Sequence, residues 1–497
     1  MFWEIFSNMI LPINILIMSV GVSVGIMIGA LPGLNTILAI TVLLPFTFGM
    51  DSVTGMYLLL GASCGGLFGG SISAILINTP GTPAACATMI DGYPMAKNGR
   101  AGDALRCALI GSTCGGLLSA VALLFFAPLI AKVALNFASP EFFALCIFGM
   151  STVIGICGDD ALKGIIMAAL GLLISTVGID IIDGTQRFMF GNLNLLSGIN
   201  SIVVMLGVFA MSEVLDKTRN RFSNAEIKET TMEYRKATIK IRDILRRRKL
   251  IIKSSVIGII IGAIPGTGGA LAAMLSYDQA KRSSKHPEEF GKGSEEGVIA
   301  PETGNNAVSA ATLIPMLTLG IPGDASAAVL LGALTMQGIT PGAALFTEDR
   351  VWVYAIMGGL FLINIIMLIE GWVFSRAFVS VTRIPEVILL PCIVVLCFVG
   401  AFAIANNLFN VLLMLIFGLV GFYLRRLNFP TPPLVIALVL GATLEQNLRR
   451  SLILSKGGYS IFFTRPISCC ILIVAILSLF YPTLKRLIAK RRDKKCT

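Results

Sequence analysis

Long apolar segments recur along the whole chain, separated by short stretches rich in glycine, proline and polar residues. A helix needs about 20 apolar residues to cross the hydrocarbon core of a bilayer. The pattern therefore predicts an all-α polytopic membrane protein with about 10–12 spans. Segments as short as 36–48 and 433–444 have the length of half-helices or re-entrant segments. The apolar segments lie at 5–30, 36–48, 53–77, 105–130, 142–157, 161–181, 195–212, 250–275, 303–335, 351–373, 386–404, 408–424, 433–444 and 466–484.

The composition agrees with a membrane protein. Apolar residues make up 55% of the 497 residues, charged residues make up only 13%, and the mean hydropathy is +0.85. A soluble globular protein carries nearer a quarter charged residues, so these charges are too few to cover a surface of this size. The composition therefore disfavours a large soluble enzyme, a coiled coil and a disordered chain.

Polar stretches divide the chain into four parts. We expect a first membrane repeat at 1–215, a basic loop at 216–250, a second membrane repeat at 251–484 and a basic tail at 485–497. The second repeat contains a further polar insert, residues 277–300, in which acidic and basic residues balance. Because its charges balance, this insert gives no indication of the side of the membrane on which it lies.

The basic residues are distributed unevenly, and this sets the expected orientation. The net charge is +11, yet residues 1–96 contain no Lys or Arg, whereas 13 lie in 216–253 and seven in 485–495. No aromatic residues alternate with these charges to stack on bases, so we expect no nucleic acid partner. The positive-inside rule predicts a cytoplasmic loop, a cytoplasmic C-terminal tail and an N-terminus outside.

The two halves of the chain share an ordered pair of motifs. Residues 24–35 read VGIMIGALPGLN and residues 257–268 read IGIIIGAIPGTG, while NTPGTP at 78–83 corresponds to GIPGDA at 320–325. The first half begins without a basic residue and the second just after Arg246-Arg247-Arg248-Lys249. An internal duplication with inverted topology is the prediction, and such repeats with broken helices are typical of secondary transporters.

Each half contains two Pro-Gly breaks, where proline removes a backbone donor and glycine permits close approach of a ligand. Freed N–H groups at helix starts can bind carboxylates, and freed carbonyls and amides can coordinate a hard cation. Kinked helices that serve packing alone are the alternative interpretation. The breaks are Pro32-Gly33, Pro80-Gly81, Pro265-Gly266 and Pro322-Gly323. The predicted substrate-binding residues are Asn35, Thr36, Ser71, Asn78, Thr79, Pro80, Gly81, Thr82, Thr267, Gly268, Asn305, Asn306, Pro322, Gly323 and Ser326.

Acidic residues inside apolar stretches are functional candidates by default, here Asp324, Glu302 and Glu370. We predict that Asp324, with Asn306 and Asn78, binds the coupling ion, either Na⁺ or a proton. Glu370 has the alternative role of a buried partner for a basic residue.

Other chemistry finds little support in the sequence. The 11 cysteines form no CxxC pair and the single histidine lies in the polar insert, so we expect reduced thiols, no cofactor and no metal other than Na⁺. No nucleophile motif occurs, and the protein is not expected to be an enzyme. An intramembrane enzyme with paired acids, and a scaffold or channel subunit, remain as alternatives.

A set of long motifs occurs in order over nearly the whole chain. The motifs are Gly29-Ala-Leu-Pro-Gly-Leu, Gly69-Gly-Ser-Ile, Asn78-Thr-Pro-Gly-Thr-Pro, Asp91-Gly-Tyr-Pro-Met-Ala-Lys, Gly99-Arg-Ala-Gly, Gly262-Ala-Ile-Pro-Gly, Lys292-Gly-Ser-Glu-Glu-Gly-Val-Ile-Ala-Pro-Glu, Asn305-Asn306, Leu319-Gly-Ile-Pro-Gly-Asp and Gln337-Gly-Ile-Thr-Pro-Gly. With these motifs the chain resembles the large membrane subunit of the tripartite tricarboxylate transporters, the TctA family. Asn35, where family members often have glycine, and Thr303-Gly304, in place of a more usual Ala-Ala, are small departures.

The resemblance implies a multi-pass secondary transporter of the bacterial inner membrane. It implies import of citrate or other organic carboxylates, driven by a cation gradient. It also implies two protein partners, a small membrane subunit and a periplasmic substrate-binding protein, besides the lipid bilayer itself.

Overall fold

The computed structural model describes residues 3, 7, 9–31, 33–156, 161–180, 182–223, 237–381 and 386–493. Pro32, part of the basic loop and the last four residues lie outside that description. Helices account for most of the described chain. In the first half they are α1 Pro12–Gly29, α2 Thr36–Leu43, α3 Ser52–Ile77, α4 Ala85–Met95, α5 Ala101–Ala134, α6 Ser139–Ile156, α7 Ala161–Ser175, α8 Ser201–Met205 and α9 Ser212–Ser223.

The second half continues this helical pattern. Its helices are α10 Ile241–Leu245, α11 Arg248–Ala263, α12 Gly268–Ser283, α13 Glu296–Ala311, α14 Leu313–Leu319, α15 Ala325–Met336, α16 Leu345–Glu348, α17 Arg350–Val373, α18 Ser375–Val381, α19 Glu386–Ala403, α20 Leu408–Arg426, α21 Pro432–Leu454, α22 Ile461–Thr464 and α23 Pro466–Asp493. One antiparallel hairpin, β1 Gly178–Ile179 with β2 Gln186–Arg187, lies between α7 and α8.

Five helices of the described residues are long and apolar enough to cross a bilayer, and six shorter apolar helices accompany them. The all-α polytopic membrane fold predicted from the sequence is thereby confirmed. The five are Pro12–Gly29, Ser52–Ile77, Ala85–Ala134, Arg350–Val373 and Leu408–Arg426.

The first half is built on close packing of α1 against α3. A Cβ on Gly25 would lie 2.4 Å from the carbonyl oxygen of Ala62, and one on Gly29 would lie 2.5 Å from that of Gly66. Small residues at this spacing let two helix backbones approach each other. Because the contacts advance together along both helices, α1 and α3 run parallel.

The second half repeats this packing between α11 and α13. A Cβ on Gly258 would lie 2.3 Å from the carbonyl oxygen of Gly304, and one on Gly262 would lie 3.0 Å from the Cα of Val308. Gly258 and Gly262 follow Gly25 and Gly29 by 233 positions, while Gly304 and Val308 follow Ala62 and Gly66 by 242. The same contact pattern therefore occurs once in each half.

In each half, the helix that follows the first Pro-Gly break runs back along the helices just described. Thr36 at the start of α2 lies against Gly66, and Thr47 just beyond its end lies against Gly55, so α2 runs antiparallel to α3. In the second half Gly269, at the start of α12, lies against Asn305 of α13. The short segment 36–48, predicted as a half-helix, is an eight-residue helix followed by a 3₁₀ turn.

The two helix pairs run in opposite directions. Trp352 at the start of α17 donates to Ser52 at the start of α3, and Gly371 near its end lies against Phe68, so α17 is parallel to α3. Gly371 also lies against Leu109 of α5, and Asn364, earlier in α17, lies against Gly116, later in α5, so α17 is antiparallel to α5. Because Gly111 and Gly115 of α5 advance together with Ile299 and Thr303 of α13, α13 runs opposite to α3.

Several boundaries differ from those predicted. The basic loop predicted at 216–250 is helical at both ends, because α9 extends to Ser223 and α11 begins at Arg248, with residues 224–236 outside the description. The polar insert 277–300 is helical at both ends, because α12 extends to Ser283 and α13 begins at Glu296. Segment 433–444 is no half-helix but part of the 23-residue α21, whose second half is polar and gave no apolar signal.

Candidate functional site

The breaks of each half meet in space. In the first half the Gly81 N–H donates to the Gly70 carbonyl over 3.2 Å, and a Cβ on Gly81 would lie 2.2 Å from the Gly29 carbonyl oxygen. In the second half the Gly266 N–H donates to the Gly323 carbonyl over 2.6 Å. Both predicted pairs of breaks are therefore joined through glycine backbone.

A small enclosed cavity lies beside the second pair of breaks. About 20 Å³ of it is open to the centre of a water-sized sphere, enough for one or two water molecules. Of the predicted residues, the structure brings Asn305, Asp324 and Ser326 together here. No lysine or arginine lines this cavity in the described chain; its walls are Ser63, Leu67, Gly269, Asn305, Val308, Ser309, Thr312, Asp324, Ser326, Ala327 and Leu330.

Asn305 is the most unusual polar group of this cavity. It is 1% exposed, and neither its amide oxygen nor its amide nitrogen has a hydrogen-bond partner among the described residues. A buried amide left unpaired costs free energy unless a ligand or water satisfies it. Asn305 therefore marks a place where a polar ligand would be stabilised.

The start of α12 faces the same point. A Cβ on Gly269 would lie 2.3 Å from the Asn305 amide oxygen and 3.8 Å from the Cβ of Ala84, just before α4. No side chain caps α12, and the N–H groups of Gly268 and Gly269 make no turn or cap hydrogen bond within the described residues. Free N–H groups at the positive end of a helix dipole suit an anion.

Asp324 is the N-cap of α15, and its carboxylate accepts the N–H of Ala327 over 2.7 Å. This explains its presence at a break without requiring an ion, because aspartate is a favoured N-cap residue. It is also partly buried and lines the cavity. Its predicted role with the coupling ion therefore stays a prediction.

The first pair of breaks gathers a second group of predicted residues. Thr36 is buried and its hydroxyl has no partner among the described residues, while Thr82 is buried beside Gly70. The Ser73 hydroxyl donates to the Gly70 carbonyl over 3.3 Å. This group offers hydroxyls and no charge.

Other predicted residues lie elsewhere or have local roles. Asn35 caps α2 by accepting the Leu38 N–H over 3.0 Å, and Thr267 donates to the Ile264 carbonyl over 2.9 Å. Asn78 and Thr79 are exposed, and Asn78 ends α3 in the left-handed conformation, with φ 55°. The structure does not bring these four side chains into the cavity. Gly268, also predicted, has φ +71°.

Glu302 of α13 is completely buried. Its carboxylate accepts hydroxyl hydrogen bonds from Ser71 of α3, Thr88 of α4 and Ser112 of α5, the last over 2.8 Å. Asn306 donates to Ser112 over 2.8 Å and to the Glu302 carbonyl over 3.2 Å. The predicted residues Ser71 and Asn306 therefore belong to this second polar centre, one helical turn from Asn305.

Glu370 of α17 is buried and accepts hydrogen bonds from Ser19 and, over 2.7 Å, from Ser23. The alternative prediction, a basic partner, finds no such ion pair among the described residues. The described cysteines are free thiols, and those residues contain no cluster of three metal-ligating side chains.

Sequence reasoning missed several contributors to these centres. Ser63 and Ser309 line the cavity, and Thr88 and Ser112 contact Glu302. Ser63 could have been identified as a candidate from the sequence, because it precedes Asn305 by the same 242 positions that relate α3 to α13. Thr88 and Ser112 had no such signal, since their contact with Glu302 is purely tertiary.

Comparison with known proteins agrees with these observations. Residues 15–436 match the tripartite tricarboxylate transporter TctA family. A 52.8 kDa protein of the TAR-I ttuC′ 3′ region of Agrobacterium vitis is 38% identical over 489 residues, which is 98% of this chain and 97% of that protein. A protein of the TAR-II ttuC′ 3′ region of the same organism is 36% identical over 234 residues, 47% of this chain and 97% of that protein. Both relatives are described as uncharacterised.

No solved structure matches the chain significantly. The family match covers most of the chain, including both pairs of breaks and both polar centres, and the first relative aligns over almost its full length. The chain therefore belongs to the tripartite tricarboxylate transporter TctA family.

Proposed function

We propose that this chain is the large membrane subunit of a secondary transporter that imports organic carboxylates of the tricarboxylate type, driven by a cation gradient. One observation carries the proposal. The uncapped start of α12 and the unpaired amide of Asn305 face each other at a cavity between the breaks. Membership of a transporter family supports it.

The chemistry of the cavity favours a carboxylate as the bound group. Backbone N–H groups of Gly268 and Gly269 and the Asn305 amide can donate to carboxylate oxygens. The cavity wall has no basic residue in the described chain and includes the acid Asp324. An anion in that position would gain from a co-bound cation, which is the physical basis for proposing coupling to a cation gradient.

The cavity is too small for a tricarboxylate as it stands. Substrate entry therefore requires that the walls separate, and these walls come from both halves, Ser63 and Leu67 from α3 and the rest from the second half. Movement of one repeat against the other is how inverted-repeat transporters expose a central site alternately to each side. The opposite directions of α3 and α13 support an inverted relation of the halves.

We further propose the setting of the transporter. It would lie in the bacterial inner membrane with the N-terminus outside and the C-terminus in the cytoplasm, as the distribution of basic residues predicts. A small membrane subunit and a periplasmic substrate-binding protein would complete the system, as the family's description as tripartite suggests.

The decisive experiment is uptake in proteoliposomes that contain this chain and the small subunit, with the binding protein added outside. Labelled citrate and other carboxylates would be tested under Na⁺, proton and no gradients. We expect gradient-dependent uptake of at least one tricarboxylate, and loss of most uptake in Asn305→Ala. Asn447→Ala is the matched control, because Asn447 is a buried asparagine outside the cavity that donates to the Thr443 carbonyl. The proposal would be contradicted if no carboxylate were taken up. It would also be contradicted if Asn305→Ala and Asn447→Ala took up the substrate equally well.

A further inference from the structure

The carboxylate of Glu302 lies at a junction of four helices. Its partners Ser71, Thr88 and Ser112 come from three helices of the first half, whereas Glu302 belongs to the second half. These contacts span sequence separations of 190 to 231 residues. Glu302 is therefore a point at which polar contacts join the two halves, beside the close packing of α5 against α13.

Glu302 has no basic partner among the described residues. Two other buried acids have charged or backbone partners: Glu141 pairs with Arg465 over 3.1 Å, and Asp91 accepts the N–H groups of Gly291, Gly293 and Ser294. Glu302 accepts only hydroxyl hydrogen bonds. The three hydroxyl donors favour the ionised carboxylate, whereas complete burial disfavours it, so an ionised Glu302 needs a cation to complete the site.

We propose that Glu302, Ser71, Thr88 and Ser112 form a binding site for Na⁺. The carboxylate and the three hydroxyls that donate to it supply five clustered oxygen atoms, and oxygen is the ligand that hard cations prefer. A hydroxyl has one proton and two lone pairs and rotates freely. The Ser71 and Thr88 hydroxyls can therefore donate to the carboxylate without the ion and turn a lone pair towards the ion when it is bound. Ser112 accepts from Asn306 and has one lone pair left for the ion.

The position of this site explains how Na⁺ would act on the substrate cavity. Asn306 contacts both Ser112 and the Glu302 carbonyl, and the next residue back, Asn305, lines the cavity. A cation at Glu302 would fix α13 against α3, α4 and α5 and thereby orient Asn305. The inference rests on the proposed function where it concerns coupling, but Na⁺ binding is measurable without any substrate.

The test is thermal unfolding of the purified full-length chain in detergent, with NaCl titrated against KCl and choline chloride at constant ionic strength. A ligand that binds the folded state raises the melting temperature in a saturable manner. We expect such a rise with Na⁺ in the wild type and its loss in Glu302→Gln, which keeps the shape of the side chain. Glu370→Gln is the matched control and should keep the response, since Glu370 contacts only two hydroxyls, both from α1.

Ser112→Ala and Thr88→Val keep the acid and remove one oxygen each. We expect each substitution to raise by about tenfold the Na⁺ concentration that gives half-maximal stabilisation. A tenfold change corresponds to a loss of roughly 1.4 kcal/mol of binding free energy. If Glu302→Gln cannot be purified, Ser112→Ala and Thr88→Val provide the test. The proposed Na⁺ site is refuted if both variants keep the Na⁺ affinity of the wild type. A wild type that responds to pH but not to Na⁺ also overturns it. Na⁺ binding as expected without carboxylate uptake would instead refute the proposed function alone.

Discussion

The two halves of the chain share a backbone design but differ in the chemistry attached to it. Where the second half has Asn305, Asp324 and Glu302, the positions 242 residues earlier carry Ser63, Thr82 and Leu60. The contact of Gly25 with the Ala62 carbonyl oxygen, 2.4 Å, matches that of Gly258 with the Gly304 carbonyl oxygen, 2.3 Å. Packing has therefore been kept in both copies, while at these three positions only the second copy carries an acid or an amide.

This difference indicates a division of labour across the interface. The first half contributes hydroxyls, namely Ser63 to the cavity and Ser71, Thr88 and Ser112 to Glu302. The second half contributes the charge and the amides. Each polar centre therefore depends on both halves, and neither is complete within one.

The first prediction concerns the opposite orientation of the two halves in the membrane, and its outcome is all-or-none. Ser283 lies with Arg247 and Arg248 at one end of the helices, and Thr347 lies just before α17, whose start contacts the start of α3 at the other end. With a membrane-impermeant maleimide on intact cells, we expect labelling of Thr347→Cys but of Ser283→Cys only after permeabilisation. The unmodified chain, labelled in parallel, gives the background. Labelling of both from the same side would contradict opposite orientation of the halves.

The second prediction concerns the shared packing. Gly25→Val and Gly258→Val each place a side chain within 2.5 Å of a carbonyl oxygen on a rigid helix, so we expect each to destabilise the fold by about 2 kcal/mol. Size-exclusion profiles and abundance of detergent-solubilised protein would measure the loss. Val256→Ala, on an exposed face of α11, should retain normal behaviour. A severe loss in only one of the glycine variants would mean that the two contacts are not equivalent.

The third prediction separates the two sides of the cavity. We expect Asn305→Ala to reduce carboxylate uptake by tenfold or more, because loss of a donor and acceptor to a buried ligand costs about 1–3 kcal/mol. Ser63→Ala should reduce uptake only about threefold, since a hydroxyl provides one donor. The measurement is initial uptake rate at low substrate concentration, with protein content matched. A larger loss of uptake in Ser63→Ala than in Asn305→Ala would mean that the main polar contact with the substrate comes from the first half.

The smallest expected effect is at the ends of α3 and α14. Asn78 and Gly320 occupy equivalent left-handed positions, with φ 55° and 72°, and asparagine and glycine tolerate this conformation best. We expect Asn78→Gly to be neutral and Asn78→Ala to cost about 1 kcal/mol in stability, with uptake per folded molecule unchanged in both. Reduced uptake in both variants at normal stability would instead confirm the sequence-based prediction that Asn78 binds substrate or ion.

Local sequence patterns predicted the fold better than the polar centres. The repeated glycines, the Pro-Gly breaks and the apolar segments are local signals, and they predicted the all-α polytopic fold and singled out Asn305 and Asp324 as candidates. The partners of Glu302 are tertiary, and the unpaired state of Asn305 depends on what surrounds it, so neither could be read from neighbouring residues. Helix α21 was underestimated because Glu445 and Arg449 interrupt its apolar pattern.

The glycine-lined helix pairs have a mechanical consequence. Backbone in direct contact with backbone leaves no flexible side chain to absorb a displacement, so we expect α1 with α3, and α11 with α13, each to behave as a stiff body. Hydroxyl contacts such as those at Glu302 can break and re-form with little distortion. Backbone also meets backbone between α5 of the first half and α13 of the second, where a Cβ on Gly115 would lie 2.2 Å from the Thr303 carbonyl oxygen. The stiff packing therefore extends across the junction between the halves, and the Glu302 centre lies beside a rigid contact.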